Sequence, residues 1–158
     1  MIEKKEISNE KTILIGTIKP GETDELIHEH LSELELLAET AGAEVISKIT
    51  QRISKINSAT FIGKGKSIQI INQAIELNAK LIIFDDELSP AQIKNYHNLS
   101  DKIKVLDRSG LILDIFRKHA RTKEATTQVD LAYLEYLLPR LTRPVSYTHL
   151  TLPTITGV

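Results

Sequence analysis

Short runs of β-branched apolar residues alternate with longer stretches of helical periodicity as far as Leu106, and this alternation restricts the fold more than anything else in the chain. Lys11-Thr12-Ile13-Leu14-Ile15-Gly16-Thr17-Ile18 suits a buried strand, since branched side chains pack well on a pleated surface. Pro20-Gly21 interrupts it. Thr23 is then placed to cap a helix whose first turn holds Asp24 and Glu25, where negative charge complements the helix dipole. Ile27, Leu31, Leu34, Ala38 and Ala41 follow at helical spacing, Leu37 widens the stripe, and Gly42 stands where a helix stops.

Residues 43–53 return to a strand pattern through Val45, Ile46 and Ile49, and Ser58-Ala59-Thr60-Phe61-Ile62 offers another short strand. From about Ser67 to Leu77 the spacing predicts a helix with Ile68, Ile71 and Ile75 on its buried face. Leu81-Ile82-Ile83-Phe84 is the clearest buried strand. In Ser89-Pro90-Ala91-Gln92 a capping-box pair encloses a proline at the first helical position. Ile103-Lys104-Val105-Leu106 reads as a further strand. Strands and helices in this order imply βα units and an α/β fold over residues 1–110, a small mainly parallel sheet of four or five strands flanked by helices. From Leu111 the pattern becomes one long helix, an arm over residues 111–143. There Leu131, Leu134, Leu138 and Leu141 keep a heptad rhythm, broadened by Tyr133, Tyr136 and Leu137, and Pro139 should end or kink it.

Composition narrows the function classes. There is no cysteine, which excludes disulfides, thiolate metal sites and thiol nucleophiles. No apolar run approaches the ~20 residues of a membrane helix, and nothing after Met1 resembles a secretion signal, so a cytoplasmic protein is expected. The net charge of -1 conceals an asymmetry: residues 1–101 carry 11 Lys/Arg against 16 Asp/Glu, residues 102–143 carry 9 against 5, and residues 144–158 carry none.

Few residues suggest chemistry. Gly65-Lys66-Ser67 opens a helix as a phosphate-binding loop does, but the position five before Gly65 is Thr60 where that loop needs glycine, and a nucleotide site is rejected. Asp85-Asp86-Glu87 ends a strand, where paired carboxylates could hold magnesium, though solvated acids are the plainer reading. The five histidines form no metal pattern. Arg117-Lys118-His119-Ala120-Arg121-Thr122-Lys123 is the densest basic cluster, extended by Arg140 and Arg143, and could neutralise nucleic-acid phosphates. With so few aromatic residues to stack on bases, such binding would follow backbone and shape.

Several stretches together resemble one family in order: Phe61-Ile62-Gly63-Lys64-Gly65-Lys66, the segment Phe84 to Gln92, Asp107-Arg108-Ser109-Gly110 onward to Phe116, and Ala132-Tyr133-Leu134-Glu135-Tyr136-Leu137-Leu138-Pro139-Arg140-Leu141. They span most of residues 12–143 and resemble the N-terminal domain of the HflX-type ribosome-associated GTPases. The resemblance implies an α/β part, a helical hairpin of which residues 111–143 supply half, and then a Ras-like domain carrying GTP and magnesium. It also implies binding to ribosomal RNA of the large ribosomal subunit, and splitting of ribosomes under stress. The uncharged segment from Pro144 onward fits none of that pattern and reads as sequence foreign to the family. On this view the chain stops before its own GTPase domain, with no catalytic, GTP-binding or metal residue of its own and no membrane partner. Arg117, Lys118, Arg121, Lys123, Arg140, Lys64 and Lys66 are then the candidate RNA contacts, and the uncovered helix could self-associate. Two other readings compete: a free-standing α/β enzyme using Asp85, Asp86 and Lys66 on a phosphorylated small molecule, and a non-catalytic module acting through its helix.

Overall fold

The computed structural model describes residues 9–141. Strand β1 (Lys11–Ile18) leads through helix α1 (Asp24–Thr40) to β2 (Glu44–Arg52), and α2 (Lys64–Glu76) leads on to β3 (Leu81–Phe84). Helix α3 (Pro90–Leu99), strand β4 (Lys104–Leu106), α4 (Arg108–His119) and α5 (Lys123–Leu137) follow, and a 3-10 turn over Leu138–Arg140 comes last. The four strands among the described residues are all parallel, in the order β2-β1-β3-β4. A parallel sheet must be covered on both faces, and alternate side chains of β1 and β3 supply the two cores. Ile13, Ile15, Ile82 and Phe84 pack with Ile70, Ile71 and Ala74 of α2 and Ile93 and Tyr96 of α3. Leu14, Ile18, Leu81 and Ile83 pack with Ile27, Leu31, Leu34 and Ala38 of α1 and Leu111 of α4.

Local chemistry sets the element ends. Thr23 accepts the amide of Leu26, and the Ser89 and Gln92 side chains close a reciprocal capping box. Gly42, at a φ of 97°, follows the last turn of α1 as a left-handed stop. Three expectations are corrected. Ser58–Ile62 forms no strand: Asn57 and Phe61 make a single bridge, and the Asn57 side chain holds the amides of Ala59 and Thr60 in a tight turn. Helix α2 buries Ser67, Ile70, Ile71 and Ala74 and leaves Ile68 and Ile75 exposed, because a buried serine and a small alanine shift its inner face. The region after Leu111 is two helices, broken at Ala120 and restarted by Thr122, whose side chain accepts from Ala125. Proline acts as expected, since α5 ends at Leu137.

Candidate functional site

In open α/β sheets a ligand crevice lies beyond the carboxyl ends of the strands where the winding reverses, which here falls between β1 and β3. Thr17 Oγ1 and Lys19 Nζ, at the end of β1, both donate to Asp86 just after β3, at 2.6 and 2.5 Å. Arg108 donates to Asp85, and His30 Nδ1 lies 3.6 Å from the other oxygen of that carboxylate. Ser109 donates through its backbone and its hydroxyl to Glu87. Burial raises the Asp85 pKa; Arg108 opposes this, Asp86 adds to it and His30 lowers it. The acids are thus answered by the chain's own donors, and a phosphate arriving here would have to displace Asp85 from Arg108. Among the described residues no group of three or more His, Asp or Glu could hold a metal ion.

The Gly65-Lys66-Ser67 segment does not fit GTP and magnesium. It lies within α2, not in a loop ahead of it, and the strand before it, β2, ends well upstream at Arg52. Ser67, whose hydroxyl would have to reach the metal, is fully buried; it donates to Gly63 O and meets Tyr96 Oη at 2.8 Å. Tyr96 in turn donates to Thr60 O, and burial pushes its pKa up to about 12 despite the Ser67 contact. Lys64 and Lys66 point to solvent as exposed residues, remote in role from Asp85 and Asp86.

The basic cluster divides. Arg117 is 1% exposed, so its place among the RNA contacts is corrected. Its guanidinium lies 4.2 Å over the Tyr133 ring and its Nε is 3.7 Å from Asp130, which docks α5 on α4. Lys118 also turns inward, to Asp114 at 3.0 Å and Ala41 O at 2.6 Å. Arg140 stacks 3.8 Å over Tyr136 and donates to its carbonyl. Arg121 and Lys123 remain exposed.

What the structure brings together instead is a joint around Asp107. This fully buried carboxylate caps α4 through Gly110 N, accepts Leu88 N from the loop after β3, and accepts the Tyr136 hydroxyl at 2.5 Å. Burial, and then the charge of Asp107, push the Tyr136 pKa far up, keeping it a donor. Gly110 lets the two helices approach closely: an added Cβ would stand 2.6 Å from Tyr136 Oη and force that ring to shift. Sequence alone places Asp107 and Gly110 only within a family-like stretch; an aspartate ahead of a helical run is a local cap signal, whereas the link to Tyr136, 29 positions from Asp107, leaves none.

A doubly covered parallel sheet with a helical arm clamped at one edge is also the pattern that known proteins share with this chain. The family model described as the N-terminal part of GTP-binding GTPases matches residues 28–117, and the one for their middle region matches residues 119–155. The class is therefore the N-terminal and middle portion of a GTP-binding GTPase. Over 150 residues the chain is 45% identical to GTPase HflX of Flavobacterium psychrophilum, covering 95% of this chain and 36% of that one. Against GTPase HflX of Escherichia coli it is 42% identical over 122 residues, covering 77% and 28%. A crystal structure of a GTP-binding protein from Sulfolobus solfataricus in complex with GDP superposes with a TM-score of 0.64 at 28% identity, covering 93% of this chain and 44% of that one. The chain belongs to the HflX family. It spans roughly a third of the length of the curated relatives it matches. The middle-region match runs to residue 155, into the uncharged segment read above as foreign, and that segment lies outside the described residues.

Proposed function

We propose that this chain is the ribosome-binding N-terminal region of a cytoplasmic HflX-type GTPase. It contacts RNA of the large subunit, while GTP and magnesium are bound by the part of the relatives that it does not span. The observation that carries this reading is the co-linear match of body and arm to consecutive segments of GTP-binding GTPases. The burial of Ser67 supports placing the nucleotide elsewhere. In the whole protein, hydrolysis would alter how this region grips the large subunit and so help to split ribosomes under stress. An α/β enzyme working with Asp85, Asp86 and Lys66 is less favoured, because both carboxylates already face cations of the chain.

The test is co-sedimentation of the purified chain with large ribosomal subunits through a sucrose cushion, alongside titration with a fluorescent GTP analogue. Subunit binding without nucleotide binding is expected; tight GTP-analogue binding lost in Lys66→Ala, or no association with subunits, would refute the reading. Self-association has an observation of its own: Leu131 and Leu138, seven positions apart on one helical face, are 57% and 45% exposed. Sedimentation velocity on the wild type and on Leu131→Lys should then show an oligomer that the variant loses.

A further inference from the structure

Charge is segregated along this chain more sharply than its net value suggests. From Pro20 to Ser47, across α1 and into β2, there are eight Asp/Glu and no Lys/Arg. From Val45 to Ile75, across β2, the following loop and most of α2, there are five Lys/Arg and no Asp/Glu. Helices α1 and α2 lie on opposite faces of the sheet, so the core divides the acidic helix from α2, although not from β2.

Within the acid-free segment, Lys48 and Arg52 are answered by Glu35 and Asp24 of α1. Lys55, Lys64 and Lys66 are exposed and make no ion pair among the described residues. Lys64 and Lys66 occupy the first turn of α2, where cations oppose the helix dipole, and no side chain caps that end. Free amides and two lysine charges at one helix end favour an anion there.

The loop that carries Lys55 is held rigid from beneath. Gln92 donates to Asn57 O, Asn95 to Ala59 O and Tyr96 to Thr60 O, so three residues of α3 pin successive parts of it. Phe61 is kept at a φ of 70°, unusual for a bulky residue, with its ring buried 6.4 Å from that of Phe84. Lys55 thus stands beside a fixed stretch of backbone at the carboxyl-end rim of the sheet, the rim at which α2 starts with Lys64 and Lys66, and that backbone need not be ordered on binding.

Resting on the ribosome-binding reading above, we propose that the ridge formed by Lys55, Lys64 and Lys66 is the face of this domain that docks on the RNA phosphate backbone. The acidic α1 face is turned away from the RNA. The surface is sequence-indifferent: it offers lysine charge and backbone amides, with no exposed aromatic ring for base stacking in the segment. Its opposite charge on α1 orients the approach as well as holding the contact.

The experiment compares three sets of substitutions in the full chain, the first two matched in charge. One is Lys55→Gln, Lys64→Gln and Lys66→Gln together. The second is Lys11→Gln, Lys80→Gln and Lys102→Gln, three exposed lysines at the opposite rim, ahead of or opening β1, β3 and β4. The third is Arg121→Gln with Lys123→Gln. Affinity for large subunits, and for RNA extracted from them, is measured across a salt series. The ridge set should weaken both by about tenfold or more and make the log-affinity against log-salt slope shallower by roughly two. The opposite-rim set should stay within about twofold of wild type, as expected when those lysines meet no phosphate. Equal losses in the ridge and opposite-rim sets would reduce the effect to net charge and overturn the proposal. So would an unchanged ridge set, or one that loses subunits yet keeps bare RNA, which would assign the ridge to a protein partner. A loss confined to the Arg121 and Lys123 set would move the contact to the arm and also overturn it. Failure of the wild-type chain to bind subunits at all would instead refute the ribosome-binding reading, and this proposal with it.

Discussion

Helices α1 and α5 are nearly equal in length, 17 and 15 residues, yet they are attached to the molecule by different means. Helix α1 sinks Ile27, Leu31, Leu34 and Ala38 into the sheet. Each large apolar side chain buried there contributes roughly 1.5–3 kcal/mol. Helix α5 buries only Tyr133, and its polar anchors are the Tyr136 hydroxyl on Asp107 and the Arg117 guanidinium over Tyr133. Such contacts contribute on the order of 0.5–3 kcal/mol each and are sharply directional. Apolar burial makes α1 part of the core, whereas the polar joint gives α5 one defined orientation at modest strength. An arm held in this way can be released without unfolding the body that carries it.

The contrast can be broken most severely at Leu34, which is fully buried. Leu34→Ala should cost about 2–5 kcal/mol and destabilise body and arm together in a urea titration. A loss confined to the arm would contradict the assignment of α1 to the core. Gly110→Ala should cost roughly 1–3 kcal/mol by driving a methyl group against Tyr136. Amide exchange should then quicken over residues 123–137 while β1 and β3 keep their protection. Tyr136→Phe is expected to cost about 1–2 kcal/mol by withdrawing a donor from buried Asp107. Made in the Gly110→Ala background it should add almost nothing, since both act on one joint; full additivity in the double mutant would separate them.

The smallest effect concerns pH. His97 Nε2 accepts the amide of Val105 in β4, and burial lowers its pKa from 6.5. The folded state therefore favours the neutral ring more than the unfolded chain does. The associated stability is fully present above about 6.5 and is lost as pH falls through that value toward the lowered folded one. Denaturation midpoints of wild type and His97→Gln should diverge at neutral pH and converge on acidification. Parallel curves would remove His97 from the account.

Legibility in the sequence followed the same division. Strands β1 and β3 were readable to the residue because continuous β-branched runs have few uses outside a covered sheet. Caps at Thr23 and Ser89 were readable because they depend on neighbours only a turn away. The α2 face was misread because Ser67 is buried through a bond to Tyr96, far along the chain, which hydrophobic spacing does not register. Arg117 was misread for a related reason: nothing local distinguishes a guanidinium packed under Tyr133 from one in water. The break before α5 did leave a signal in Thr122 followed by Glu124, a capping residue and a first-turn acid, but the leucine rhythm masked it. Of the RNA candidates, Lys64, Lys66, Arg121 and Lys123 stand on the surface, and Lys55 escaped attention because it lies in no cluster along the sequence.

The strand order β2-β1-β3-β4 bears on how the chain can be assembled as it is synthesised. The first of the described strands, β1, has β2 on one side and β3 on the other, and β4 joins the free side of β3. Each new strand therefore adds to an open edge, and none has to be inserted between two that are already paired. The sheet can grow outward in the order in which its parts leave the ribosome, and α5 closes on its joint after the strands are in place.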